Sequence, residues 1–200
     1  MISKAGLFNG EIVAGSLLEK ESRAIAILML ENPDDRTWHQ KLFVDNILQK
    51  RSQPTIKRMV TLIRKRLSTL NPEAWQIIAT GSNEAARHML LVAAIKHSQL
   101  LGDFLIKVIK GNLAVFQNNV TDRDWQKFLE ECAAIEPQIK QWSTSTISKL
   151  RQVIFRILAE AIILENTRNL KIMPFFINPE VERFLIKNDE SYVLKCLQLQ

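Results

Sequence analysis

An all-α fold follows from three features of the chain. Glycine and proline are scarce, six of each in 200 residues. Hydrophobic residues make up 46%, enough for a sizeable core. In one stretch after another they recur at i, i+3, i+4 and i+7, the spacing of a helix face rather than the alternation of a strand. The expected architecture is a mainly helical bundle with helix-turn-helix elements and a small β-hairpin wing near residues 162–173. Residues 1–70 read as an N-terminal helix-turn-helix-like domain. Residues 71–200 read as a C-terminal helical domain with a winged-helix-like element.

Residues 1–16, with Gly6, Gly10 and Gly15, read as irregular. A helix is expected from about Ser16 through Ala24, Ile25, Leu28 and Met29, closed by Asn32-Pro33. A second runs from about Asp34 to Gln49 and turns Trp38, Leu42, Phe43 and Ile47 inward. A tight link containing Arg51 and Ser52 leads into a third. Three short helices of which the last is amphipathic and basic suggest a helix-turn-helix, a pattern that many helical bundles share.

The third helix, within Lys50–Leu70, organises the reading. Seven residues of this stretch are Lys or Arg, and no acid lies between Asp45 and Glu73. Ile56, Met59, Val60, Ile63, Leu67 and Leu70 share one sector at about 100° per residue. Lys57, Arg58, Thr61, Arg64, Lys65 and Ser68 fall opposite. Pro54 suits a first turn and Ser52 a cap. A solvated surface helix ordinarily mixes signs, because Glu–Lys pairs stabilise it. A single-sign field gives up that help and suits a polyanion.

Further on, Asn71-Pro72 starts a short helix through Trp75 and Ile78, and Gly81-Ser82-Asn83 breaks the chain. From Glu84 to about His97 apolar residues crowd all round, which marks a buried helix. Another runs from about Gln99 to Lys110, with Gly111-Asn112 as its stop. Asp122 is read as the cap of a helix carrying Trp125, Phe128, Leu129 and Cys132, closed or bent at Pro137. The run Ser143–Thr146 precedes a second, weaker basic helix over 146–161, with Ile147, Leu150, Ile154, Ile157, Leu158 and Ala161 inward and Lys149, Arg151 and Arg156 outside. Ile162–Leu164, a turn at 166–169 and Leu170–Met173 follow in the order of a wing, although strands this short read equally as coil. Asn178-Pro179 caps a helix through Val181, Phe184 and Leu185, and 190–197 forms a last one.

The net charge is +6 and the sequence pI is near 9.4, as suits a nucleic-acid partner or merely a soluble basic protein. Cys132 and Cys196 are too few and too far apart for a disulfide framework or zinc site, and read as free thiols in a reducing cytosol. No signal peptide is visible in residues 1–18, where Asn9, Gly10 and Glu11 interrupt the apolar run. The most apolar region, Met89–Ile109, contains Lys96, His97, Asp103 and Lys107, so it reads as buried core and not as a membrane span. His39, His88 and His97 are not at ligand spacing, and no phosphate loop, HxxxH or nucleophile elbow occurs. No cofactor or metal is expected, and a binding module is favoured over an enzyme.

Four stretches in order, GSLLEKESRAIA, NILQKRSQPTIKRM with RKRLSTL, MLLVAAIKHSQLLGDFLIKVI, and STSTISKLRQVIFRILAEA followed by IMP, resemble the BrxA family of bacterial BREX phage-defence systems. The resemblance covers about residues 8–180. It implies an all-helical or nearly all-helical fold, sequence-tolerant double-stranded DNA binding and a non-enzymatic accessory role beside other BREX subunits, with no catalytic residues to carry over. The expected DNA contacts are Lys50, Arg51, Lys57, Arg58, Arg64 and Lys65, then Lys149, Arg151, Arg156 and Arg168. A protein–protein scaffold whose basic face docks acidic partners and an RNA-binding helical bundle are the competing readings. The expected location is cytoplasmic, off the membrane.

Overall fold

The computed structural model describes residue 12 and residues 15–199. The expectations for Gly6, Gly10 and a leader segment lie outside these residues. Helices follow one another throughout: α1 (Glu19–Glu31), α2 (Asp35–His39), α3 (Gln53–Leu67), α4 (Pro72–Thr80), α5 (Asn83–His97), α6 (Gln99–Phe104), α7 (Gly111–Ala114), α8 (Asp122–Ile135), α9 (Thr144–Glu160), α10 (Pro179–Lys187) and α11 (Ser191–Leu197). The all-α class is the observed one.

Local chemistry sets most of the starts. Asn71, Ser82, Ser143 and Asn178 each accept a hydrogen bond from a first-turn N–H, satisfying donors that have no partner within the helix. Two caps differ from expectation. Thr121, not Asp122, caps α8, in a reciprocal box with Asp124. Ser52 stands at the N-cap of α3, but its side chain makes no capping bond. Gly111 does not stop its helix either. The chain passes from α6 through a π-helical stretch, Leu105–Lys110, and ends only after Ala114.

α5 is the hub. Ten of its residues are buried, from Ala85 to Ile95 with only Arg87 half-exposed between them. It packs on α1, α3, α4, α6, α10 and α11. A helix apolar on every side can be stable in water only with neighbours all round. At Ser98 the chain bends by 110° into α6. There Phe104 meets Phe128 edge-on at 5.1 Å and Phe155 and Trp125 at 5.8 Å, which joins α6, α8 and α9 in one aromatic cluster. No single helix among the described residues is long and apolar enough to cross a membrane.

One hydrophobic cluster runs from Ile12 to Leu199, and α1 packs chiefly on α4. Arg23 strengthens that contact. Its guanidinium donates to the carbonyls of Ile78, Ala79, Gly81 and Ser82 and to Asn83 Oδ1. It thus covers the unpaired carbonyls at the C-terminus of α4, where a cation is also favoured by the helix dipole.

The segment over 162–173 reverses as expected but forms no strand. Isolated antiparallel bridges join Leu164 to Ile172 and Asn119 to Lys171. Ile163, Leu164 and Ile172 are buried, so packing fixes this loop more than a ladder does. At its tip Asn166 Oδ1 accepts from the N–H groups of Arg168 and Asn169.

His88 is 4% exposed, rests on Phe175 with ring centroids 4.8 Å apart and accepts at Nδ1 from the Asn178 N–H at 3.0 Å. Burial lowers its pKa below the usual 6.5, with Glu84 opposing and Arg87 adding to the shift. The unfolded chain therefore takes up this proton at a higher pH than the folded one. The His88 contribution is intact above the unfolded value and is lost as pH falls through it towards the folded value. Melting temperature should fall between about pH 7.5 and pH 5.5, and His88→Gln should flatten that slope. Glu21, Asp34 and Asp124, whose pKa values are lowered from 4.5 or 3.8, titrate below this window. Parallel pH–melting curves for parent and variant would contradict the assignment.

Candidate nucleic-acid interface

The apolar stripe of α3 is buried as the period requires: Ile56, Met59, Val60, Ile63 and Leu67, with Leu70 just beyond the helix. Leu62 joins them. On the far side Lys57, Arg58, Arg64 and Lys65 are exposed, and Arg51 is exposed in the preceding link. One helix thus carries a greasy face into the bundle and a face of cations outward. Lys57, Thr61 and Arg64 fall within about 60° of one another, while Arg58 and Lys65 lie about 90° further round.

Not every cation of the stretch is alike. Lys50 pairs with Glu21 at 2.6 Å. Burial would raise the Glu21 pKa, but the hydrogen bond and charge of Lys50 outweigh it and hold the carboxyl below its usual value. Much of the Lys50 charge is therefore spent on α1. Arg66 is 4% exposed and donates to the carbonyls of Ser16 and Gly15. Burial brings its pKa down to about 10, against the pull of Glu160, so it remains a cation at neutral pH. Arg66 holds the chain before α1 and offers nothing to a ligand outside.

Among the second group, Lys149, Arg156 and Arg168 are exposed. Lys149 donates to Gln152 Oε1 at 2.9 Å. Arg151 pairs with Asp122 and lies 4.6 Å from the Phe155 ring centre. On the outer face of α9, Arg151 is thus already engaged by Asp122 and Phe155.

The two helices before α3 show what the sequence reading missed. α2 passes at Gln40 into a π-helical turn through Val44, and the link to α3 spans residues 45–52. A helix-turn-helix uses a turn of three or four residues. Asn46 and Gln49 take left-handed backbone conformations in this link, and Asn46 braces it by exchanging two hydrogen bonds with Lys50. Between α2 and α3 lies a groove of about 470 Å³. Trp38, His39 and Phe43 form one wall, and Lys57, Thr61 and Arg64 the other. The Arg64 guanidinium sits 4.8 Å from the centre of the Trp38 ring. His39 and Phe43, one turn apart, stack at 5.1 Å; that spacing was readable, whereas the Trp38–Arg64 contact has no local signature.

Among the described residues no three His, Cys, Asp or Glu side chains converge as a metal site. Cys132 and Cys196 are free and buried, and burial above all pushes each thiol up to about 12, far from reactive thiolates.

Comparison with known proteins agrees with this architecture. The chain is 38% identical over 192 residues to the BREX protein BrxA of Paramagnetospirillum magneticum, covering 96% of each chain. It is 31% identical over 198 residues to the BREX protein BrxA of Escherichia coli O9:H4, covering 99% of this chain and 93% of that one. A crystal structure of an uncharacterized protein from Magnetospirillum magneticum superposes with a TM-score of 0.89 at 36% identity, over 98% of this chain and 100% of the other. The BrxA family model matches residues 6–189, and with these relatives it establishes that the chain belongs to the BrxA family.

Proposed function

We propose that this chain is a non-enzymatic, double-stranded-DNA-binding accessory subunit of a BREX phage-defence system, working beside the other BREX subunits. The place in BREX rests on the relatives, which carry the name BREX protein. The DNA reading rests on one observation: the exposed face of α3 carries cations and no acid. From Lys57 to Lys65 the helix rises about 12 Å at 1.5 Å per residue, comparable with the ~12 Å width of a major groove. Arg58 and Arg64, about two turns apart, straddle it, and Arg51 adds a cation in the link before the helix. Contacts of this kind hold phosphates and carry little sequence information. Lys149, Arg151, Arg156 and Arg168 add a second, weaker contact.

A gel shift with two unrelated duplexes tests this reading. Similar affinities for both support it. Failure to bind either at low salt, or selective binding of duplex RNA, contradicts it. This reading includes a cytoplasmic location off the membrane; its support against a membrane span is that each charge at a bilayer centre costs about 2.5–3.5 kcal/mol and that Lys96, Asp103 and Lys107 interrupt the most apolar stretch. Recovery only in salt- and carbonate-resistant membranes contradicts that placement.

A further inference from the structure

The groove between α2 and α3 borders the exposed face of α3 and takes Lys57, Thr61 and Arg64 from it. Its floor includes the buried side chains of Leu42 and Val60. Its rim carries two full cations, Lys57 and Arg64, against one carboxylate, Asp35. The Arg64 guanidinium, 4.8 Å from the Trp38 ring centre, carries a fork of N–H donors suited to a carboxylate. The π-helical turn that follows α2 contributes Leu42 and Phe43 to the groove, and such turns recur at functional sites. A duplex is too broad for the groove, which has the size of a pocket for one or two large side chains.

We propose that this groove is the docking site for an acidic amphipathic helix of a protein partner. Aliphatic side chains from one face of that helix enter between Trp38 and Val60, and carboxylates flanking them meet Lys57 and Arg64. A helix is the fitting form because the groove runs between two helices and offers no strand edge for an extended peptide. The sign is fixed by the rim. The chain's own residues 1–11 carry one acid, Glu11, and one base, Lys4, and so lack the required charge. The groove shares Lys57 and Arg64 with the proposed DNA face, whereas Arg58 and Lys65 do not line it, so the two readings are separated through the latter pair.

The probe is a synthetic helical peptide of about 18 residues with Leu on one face and Glu beside it. Binding is read from the indole N–H resonance of Trp38 in the full chain, assigned with Trp38→Phe. The resonance should move with a dissociation constant at or below about 100 μM. Lys57→Glu/Arg64→Glu should weaken the peptide at least about tenfold, and Thr61→Trp, which fills the groove from an exposed position, should do the same. Arg58→Glu/Lys65→Glu should leave peptide binding unchanged while weakening duplex DNA. Four results overturn the proposal: no movement of Trp38 at about 1 mM peptide; equal binding of a peptide with Gln in place of Glu; tighter occupancy of the groove by single-stranded DNA; or sedimentation showing a second copy of the chain seated there. A failed peptide arm with intact duplex binding removes the groove proposal alone. The reverse outcome removes the DNA reading alone.

Discussion

Simultaneous replacement of Lys57, Arg58, Arg64 and Lys65 by glutamate is expected to abolish duplex binding and leave the fold intact. All four side chains are exposed on the face of α3 away from the core, and surface substitutions of this kind usually change stability by less than about 0.5 kcal/mol each. Four phosphate contacts account for about 3.6 of the parent's salt slope, and four new carboxylates add repulsion. Reversal of Lys149, Arg151 and Arg156 should only weaken binding, because Arg151 is already paired with Asp122. Gel shift and thermal melting read both sets. A quadruple variant that melts like the parent and still binds like it would reduce α3 to a solvated face.

Arg66→Ala should do the opposite: damage the fold and spare the ligand. The substitution removes a buried cation and leaves the Gly15 and Ser16 carbonyls without their donor. The expected loss is about 3–5 kcal/mol, or about 10–15 °C in melting temperature for a chain of this size. Arg66→Lys should restore only part of it, since an ammonium cannot reproduce the planar fork. Below its melting temperature Arg66→Ala should bind duplex like the parent. A melting temperature within about 2 °C of the parent would show that Arg66 does not hold the α1 approach.

That contrast also shows how far the sequence could be read. Helical period alone put Lys57 and Arg64 outside and Ile56, Ile63 and Leu67 inside. The same projection sets Arg66 about 180° from Lys57, on the core side, but its carbonyl partners lie some fifty residues earlier and leave no local mark. Capping was legible where one residue type settles it, as at Asn71-Pro72 and Asn178-Pro179. It slipped by one position at Thr121-Asp122, where two good caps adjoin. The π-helical turns at 40–44 and 105–110 were not legible, since they depend on how tertiary packing shifts hydrogen bonds by one residue. Gly111 read as a stop, yet it continues the helix because nothing there requires a left-handed residue. The groove escaped for a similar reason: Trp38 was read as a core residue, and its partner Arg64 as a free surface cation.

Binding of the unaltered chain to a duplex of arbitrary sequence, measured across a salt series, tests the phosphate-contact account most directly. Log affinity should fall linearly with log salt concentration, by about 0.9 for each neutralised phosphate, giving a slope of roughly −4 to −6 if the α3 face and part of the α9 face engage together. A slope near zero, or no complex at about 50 mM salt, would contradict it.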